Sequence, residues 1–485
     1  MKQKSEFFSS QYTFLFAAIG MAIGAGNIWR FPRLAGQYGG SFLIPWILFL
    51  FLWSIPLIVT EFSLGKKYRL GVIGVFSRGL GKSYTWMGWF VALCTIGIMF
   101  YYSVVCGWSL KYFIMGISGE LMTLDHSNFW QSYTTSNLEP VLYHLISLLI
   151  GCTVLYFGIK RGIEKATKVL IPVLFVLITI AAIKSLTLPG ADIGLSYFFR
   201  VNIVDLLNYR VWLEALSQSA WSTGAGWGLI LTYANYVKEN EKSISTALMT
   251  GLGNNLASII CGLAIIPAVF ALSSSLEDAN SALKAGNQGL TFIYLPQLFN
   301  RISGIGFMTP VFFFALFIAA ISSLIAMLEL AVRLIMDYGY ARKSAVIGTG
   351  IIAFVMGIPS AISLNFFNNQ DWVWGLGLLV SGSFFIFFIF KTGLSPFTYR
   401  YLENEHYAFL KKPGFLYFIL ITMTFEFIVM FLWWFIQSIN WYPQSWWDPF
   451  GQYTIVTCIF QWIIVIFIGI FYNERLSKVK INPRQ

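Results

Sequence analysis

The chain has 485 residues, of which 57% are hydrophobic, 18% are aromatic and only 11% are charged. Soluble domains carry about 25% charged residues, so this composition excludes an ordinary soluble enzyme, a disordered chain and a nucleic-acid-binding module. The net charge of +11 does not indicate a nucleic-acid partner in so hydrophobic a chain, because basic residues also mark the cytoplasmic loops of membrane proteins. The composition therefore predicts a polytopic membrane protein.

Twelve hydrophobic stretches are long enough to cross a bilayer as helices, which requires about 20 residues. They are residues 12–34, 41–65, 86–112, 140–158, 167–188, 211–236, 244–272, 308–336, 344–362, 371–391, 415–437 and 453–472. An even number of spans places both termini on one side, where 23 Lys and Arg residues lie, against six in the opposite loops. The excess predicts a multi-pass protein of the plasma (inner) membrane with both termini in the cytoplasm.

The first and sixth spans each contain a cluster of glycines near the middle. The first reads Gly20-Met-Ala-Ile-Gly-Ala-Gly-Asn27 and the sixth reads Gly224-Ala-Gly-Trp-Gly228. Glycine lets a helix unwind inside a membrane, and the freed carbonyls and amides can bind a cation and a carboxylate. Close helix packing through small residues is the alternative for either cluster alone. Their matched positions favour a binding site.

The run Gly24-Ala-Gly-Asn-Ile-Trp-Arg-Phe-Pro32, followed by Gly39-Gly40 and Ile44-Pro45, resembles the neurotransmitter:sodium symporter family. The resemblance covers residues 4–391 and is to the bacterial LeuT-like amino-acid transporters of that family. It implies an all-α LeuT fold of 12 transmembrane helices, with an inverted repeat of spans 1–5 and 6–10 and two extra helices. The expected units are residues 1–190, 191–392 and 393–485.

The resemblance also implies two sodium sites. The first would use the Ala22 carbonyl with Asn27, Ser222, Asn254 and the substrate carboxylate. The second would use three carbonyls and two hydroxyls, those of Gly20, Ile23, Ala319, Ser322 and Ser323. All these ligands are neutral oxygen atoms, which suit a hard monovalent cation.

The substrate is expected beside the first sodium ion. Its site would comprise Ala22, Ala25, Gly26, Ile98, Tyr102, Trp221, Ser222, Gly224, Trp227, Ser323 and Met327. The amides of Ala25 and Gly26 and the hydroxyl of Tyr102 would meet the substrate carboxylate. The pocket holds no counter-charge, so the ligand's side chain should be neutral. A small or medium amino acid is expected, and bulky hydrophobic or aromatic ones remain open.

Gates and an anion site also follow from the resemblance. Arg30 and Asp371 would close the outer side, and Asp337 would take part in the inner closure, since charges inside a membrane are usually functional. Phe8 replaces the family's tryptophan in the inner closure, and Lys4 is displaced by one from the usual arginine. Chloride binding is favoured because the neutral set matches chloride-dependent members, although Trp46 replaces their tyrosine. The set is Gln218, Ser222, Asn254 and Ser258.

Further acidic residues lie within the spans. Glu61, Glu214 and Glu329 are at positions where the family often has acids, with structural hydrogen bonding and a role in transport both open. Glu426 in span 11 has no role that the resemblance assigns.

Together these features predict a sodium-coupled secondary active symporter that imports a neutral amino acid by alternating access, with two sodium ions and an optional chloride. It is not expected to be an enzyme, because the three histidines are scattered and form no catalytic constellation. A membrane sensor that binds the amino acid without transporting it is the alternative. The sequence leaves the oligomeric state open.

Overall fold

The computed structural model describes residues 7–301, 307–402 and 412–480, and across these ranges the regular structure is helical, which confirms the all-α fold class. Nine helices in the described ranges are long and apolar enough to cross a membrane, and a tenth span is bent in the middle. The sixth predicted span is divided into two short pieces, and the twelfth, Ile455–Phe471, has 17 residues. Each of the twelve predicted spans thus corresponds to a helix or to an interrupted helix.

Spans 1 to 5 form the N-terminal part of the bundle. Span 1 comprises Gln11–Ala22, Ala25–Ile28 and Arg30–Tyr38, and span 2 comprises Gly40–Phe49, the π-helical turn Leu50–Ser54 and Ile55–Tyr68. Spans 3, 4 and 5 are Thr85–Ser118, Glu139–Tyr156 and Glu164–Leu186. The short connecting helices are Val72–Gly79, Lys82–Tyr84, Glu120–Met122, His126–Thr135 and Ile159–Ile163.

Spans 6 to 10 follow. Span 6 comprises Tyr209–Ser222 and Leu229–Ala234, and spans 7, 8, 9 and 10 are Ser243–Leu272, Met308–Asp337, Arg342–Ile362 and Leu364–Thr392. Short helices precede spans 6 and 8: Ala191–Phe199, Ile203–Leu206, Leu276–Lys284, Gly286–Gln288, Gly289–Tyr294 and Leu295–Phe299. The helix Leu394–Leu402, span 11 (Pro413–Trp441), span 12 (Ile455–Phe471) and the turn Asn473–Leu476 complete the described chain.

Span 10 begins earlier than predicted. The sequence placed Asp371 at its first residue, whereas the helix begins at Leu364. The reason is a cap outside the hydrophobic stretch: the Ser363 hydroxyl accepts a hydrogen bond from the amide of Phe366. Asp371 therefore lies about two turns inside the helix, where it can face the interior of the bundle.

Spans 3 and 8 lie at the centre of the bundle. Of their most hydrophobic segments, 83% is buried inside the protein, against 28% for span 11. Span 8 packs along span 3, and the first half of span 1 packs against span 8. The interruption in span 1 is therefore held at the centre of the fold, against span 8.

Candidate functional site

The break in span 1 exposes backbone carbonyls to span 8. The helix stops at Ala22 and resumes at Ala25, with a 66° bend between the two parts. Ile23 and Gly24 are extended, so the carbonyls around them leave the helical hydrogen-bond pattern. Unwound backbone at this depth needs partners, because no water is available in the lipid.

Two serines of span 8 meet these carbonyls. The Ser322 hydroxyl donates to the carbonyls of Gly20, at 2.7 Å, and Ala319, at 2.9 Å. The Ser323 hydroxyl donates to the carbonyls of Met21, at 3.0 Å, and Ile23, at 3.3 Å. The five groups predicted for the second sodium site therefore lie together, and Met21 adds a carbonyl that the sequence did not indicate. Because all are neutral oxygens, the donor set fits a monovalent cation.

The break in span 6 depends on glycine. Gly224, Gly226 and Gly228 have φ angles of +69°, +86° and +76°, a region that other residues rarely adopt. The buried Glu61 carboxylate accepts a hydrogen bond from the Gly226 amide, and the Ser381 hydroxyl donates to the Gly226 carbonyl. Spans 2 and 10 thus provide hydrogen-bond partners for the unwound segment. Glu61 makes a structural hydrogen bond, and its part in transport remains a prediction.

The residues predicted for the first sodium site form one buried cluster. The Asn27 amide donates to Asn254 and to Ser258, both at 2.8 Å, and its oxygen accepts from the Gly24 amide at 3.0 Å. The Asn254 side-chain oxygen lies 3.2 Å from the Ala22 carbonyl and 2.8 Å from the Ser222 carbonyl. These three oxygen atoms repel one another unless a positive group lies between them. A bound cation would supply that charge; rotation of the Asn254 amide by 180° would instead turn its N–H donors toward the two carbonyls.

A cavity of about 250 Å³ lies beside this cluster. Of the eleven residues predicted for the substrate, it is lined by Ala22, Gly26, Tyr102, Trp221, Ser222, Gly224, Trp227, Ser323 and Met327. Ala25 and Ile98 are fully buried behind this lining. The Ala25 amide nevertheless points at the site, because it donates to the Tyr102 hydroxyl at 2.8 Å.

Sequence reasoning missed part of the cavity wall. Met21, Gly24 and Leu229 also line it. A Cβ atom added at Gly24 would lie 2.7 Å from the Tyr102 hydroxyl and 3.1 Å from the Ser323 hydroxyl. Only glycine at this position leaves room for both hydroxyls to approach the backbone of span 1 closely. Its position in the Gly-Ala-Gly motif was the available signal.

The outer gate residues share the cavity without forming a pair. Arg30 and Asp371 both line its wall. Arg30 donates to the Ser217 hydroxyl at 2.6 Å, lies 3.8 Å from Glu214 and stacks over the Trp221 ring at 5.7 Å. Among the described residues, no ion pair joins Arg30 to Asp371 in this conformation. Both predicted gate residues therefore line the cavity, but they do not pair with each other in this conformation.

The opposite end of span 1 is closed by packing. The Phe8 side chain is 3% exposed, its ring packs edge-on against Phe14 and Tyr233, and its amide donates to the Tyr236 carbonyl at 2.9 Å. The Ser9 amide and hydroxyl both donate to the Glu164 carboxylate of span 5. A hydrophobic ring and a carboxylate thus hold the N-terminal segment against the bundle.

The third predicted gate residue, Asp337, has partners of its own. It pairs with Arg333 of the same helix at 2.9 Å and accepts a hydrogen bond from the Gly71 amide at 2.6 Å. Lys4, which stands near the position of the family's basic partner, lies outside the described residues. Among the described residues the Asp337 carboxylate therefore binds span 8 and the loop after span 2.

The predicted anion set surrounds the first cluster. Gln218 is fully buried, and its amide lies 3.5 Å from the Gly26 carbonyl, while Ser258 accepts from Asn27. Trp46 is also fully buried, and its indole N–H has no hydrogen-bond partner among the described residues. An orphaned buried donor is costly, so a ligand that accepts from it would be stabilising.

Comparison with known proteins gives one family. The model of the Sodium:neurotransmitter symporter family matches residues 5–144 and 139–474. An uncharacterized sodium-dependent transporter of Methanocaldococcus jannaschii is 34% identical over 361 residues, 70% of this chain and 72% of that protein. The sodium-dependent serotonin transporter of Drosophila melanogaster is 27% identical over 453 residues, 83% of this chain and 71% of that protein.

A solved structure is also similar. The crystal structure of MhsT in complex with L-phenylalanine matches with a TM-score of 0.77 and 28% sequence identity. The match covers 88% of this chain and 99% of the MhsT chain.

Proposed function

The chain belongs to the Sodium:neurotransmitter symporter family, and we propose that it uses the sodium gradient to import a neutral amino acid by alternating access. The family consists of sodium-coupled membrane transporters, which places the chain among transporters rather than enzymes. The observation that carries the proposal is the convergence of the Ser322 and Ser323 hydroxyls on the carbonyls freed by the break in span 1.

Two sodium ions are proposed as cargo. One would lie among Ala22, Asn27, Ser222 and Asn254, where the Asn254 side-chain oxygen lies 3.2 Å from the Ala22 carbonyl and 2.8 Å from the Ser222 carbonyl. The other would lie between the break in span 1 and the serines of span 8. Because the first ion would touch the substrate carboxylate, each would raise the affinity of the other. The second ion would tie span 1 to span 8 and favour one conformation of the transporter.

The substrate is proposed to bind with its carboxylate at the Ala25 amide and the Tyr102 hydroxyl, which already face each other. The cavity wall includes the apolar side chains of Met21, Trp221, Trp227 and Leu229, while its charged residues Arg30 and Asp371 are the proposed outer gate, so the ligand's side chain should be uncharged. Bulky hydrophobic or aromatic amino acids are a second candidate class, because MhsT, which shares the fold, was solved with L-phenylalanine.

Access is proposed to alternate between two closures. The cavity reaches Arg33 and Asn287 on one side, while Phe8 and the Ser9–Glu164 contact close the other. With both termini in the cytoplasm of a plasma-membrane protein, this conformation would face outward. Release of the second sodium ion would loosen span 1 from span 8 and let the Phe8 end open.

Chloride binding at the cluster of Gln218, Ser222, Asn254 and Ser258 is proposed as an aid to sodium binding, with support from the buried Gln218 and from the contact of Ser258 with Asn27. The anion would balance part of the sodium charge in a site with no acidic residue among its proposed ligands. The three-part division at residues 190 and 392 remains a prediction, as does the oligomeric state.

The test is uptake of radiolabelled amino acids into proteoliposomes under a sodium gradient. All twenty amino acids are offered as competitors, with and without chloride. Ser323→Ala should weaken sodium dependence, whereas Ser383→Ala is the matched control, because its hydroxyl bonds only to its own helix at Val380. Equal uptake with potassium or choline in place of sodium would refute sodium coupling. Binding of an amino acid with no uptake would favour the sensor.

A further inference from the structure

Span 11 carries a buried carboxyl group without a partner. Glu426 is 5% exposed, and neither of its carboxyl oxygens accepts a hydrogen bond within the described residues. It belongs to a buried stripe of the helix that includes Leu420, Met423, Met430 and Trp433. A carboxyl group in such a setting is rare, since acidic side chains are almost never fully buried unless they are paired.

Glu426 lies deep in the membrane rather than at its surface. The Trp434 ring packs against Trp372 of span 10, with 5.0 Å between ring centres, at the outer end of both helices. Glu426 is eight residues further into span 11, or about 12 Å along the helix axis. Span 11 packs against span 10 and against the π-helical turn Leu50–Ser54 of span 2.

No other charge neutralises this group. Between Asp371 and Lys391, span 10 has no ionisable residue, and the π-helical turn of span 2 has none. The remaining ionisable residues on span 11, on the rest of span 2 and on the other elements packed against span 11 are Tyr417, Glu61, Lys66, Lys67, Tyr68, Tyr209, Arg210, Glu214, Cys458, Tyr399, Arg400 and Tyr401. Within the described part of the chain, Glu426 forms no ion pair or hydrogen bond with any of them.

An isolated carboxylate is strongly disfavoured in this environment, because removing it from water has a large free-energy cost that nothing nearby offsets. The neutral acid avoids that cost. We propose that Glu426 is a proton-binding site, which carries its proton in the conformation described here and releases it to water when span 2 moves away from spans 10 and 11.

The second half of the proposal rests on alternating access and on the packing around span 10. A Cβ atom added at Gly382 would lie 3.2 Å from the Trp53 ring of the π-helical turn. The neighbouring Ser381 donates to the Gly226 carbonyl of the broken span 6. Spans 2 and 6 therefore meet span 10 at one level, and span 11 packs on both span 10 and the π-helical turn of span 2. In the proposal, a movement of span 2 that opens the substrate site also changes the packing of span 11.

The first test is independent of transport. Infrared spectra of the purified protein should contain a carboxylic-acid C=O band at neutral pH that is absent in Glu426→Gln and present in the control Glu474→Gln, since Glu474 is exposed. Glutamine is isosteric with the neutral acid, so this variant should fold; ¹³C-labelled glutamate in the unchanged chain distinguishes a glutamic-acid band from an aspartic-acid band by its isotope shift. Unchanged intensity of this band in Glu426→Gln, or the absence of any such band from the unchanged protein, would overturn the proposal.

The second test measures the coupling. Where proton release from Glu426 limits the transport cycle, the rate of sodium-driven uptake should change about tenfold per pH unit. Glu426→Gln should abolish this pH dependence, whereas the control Glu474→Gln should retain it. A variant with an unchanged pH profile would show that the proton is not exchanged and would overturn the proposed release. If neither protein takes up any amino acid, the proposed function fails while the infrared result still decides the protonation of Glu426.

Discussion

Replacing Gly24 by alanine should damage the substrate site without unfolding the protein. Gly24 has φ −115° and ψ −170°, a backbone conformation that alanine adopts freely. The added Cβ would meet the Tyr102 hydroxyl at 2.7 Å, a distance that real Cβ atoms do not tolerate. The Tyr102 ring is 7% exposed and its hydroxyl is held by the Ala25 amide, so the ring must turn and that contact is lost.

The magnitude follows from the lost hydrogen bond. A hydrogen bond to a charged group such as the substrate carboxylate contributes about 1.5–3 kcal/mol, which corresponds to a roughly 10- to 150-fold weaker affinity. Sodium affinity should fall as well, because the same Cβ would lie 3.1 Å from the Ser323 hydroxyl. Unfolding temperature should change little, because the substituted backbone is not strained.

The assay is equilibrium binding of the transported amino acid to purified protein, titrated with sodium, alongside thermal unfolding. Gly348→Ala is the matched control, because an added Cβ there meets nothing within 4 Å. The double variant Gly24→Ala/Tyr102→Phe should relieve the clash without restoring the hydrogen bond. Unchanged substrate affinity in Gly24→Ala would refute the assignment of Tyr102 to the substrate carboxylate.

Three other substitutions test the surrounding structure. Gly226→Ala should destabilise the protein by about 2–4 kcal/mol in thermal unfolding, because its φ of +86° strains alanine and its Cβ would lie 3.0 Å from the Gly382 Cα; an unchanged unfolding temperature would contradict the unwound geometry. Arg342→Met should cost about 3–5 kcal/mol, because Glu329 would lose a buried partner at 2.7 Å, and Glu329→Gln combined with it should restore much of the loss. Ser9→Ala should favour the inward-open state by about 1 kcal/mol, seen as faster labelling of a cysteine placed in the cytoplasmic pathway; slower or equal labelling would argue against the inner closure.

The sequence by itself determined the fold class and the positions of the two helix breaks. Composition excluded a soluble protein, and twelve hydrophobic stretches gave the helices because a bilayer fixes the length of a span. The paired Gly-Ala-Gly motifs marked both breaks. At Gly224 and Gly226 the φ angles favour glycine, whereas at Gly24 the missing Cβ leaves room for the Tyr102 hydroxyl. These are local properties of the chain, which a sequence states directly.

Tertiary structure decided how side chains from distant spans meet. Ser322 reaches the Gly20 carbonyl across 302 positions of the chain, and Arg30 pairs with Glu214 rather than with Asp371. The isolation of Glu426 is likewise invisible in the sequence, because it depends on which faces of spans 2 and 10 are turned toward span 11. Such contacts are set by the packing of several helices at once, whereas periodicity and motifs describe one helix at a time.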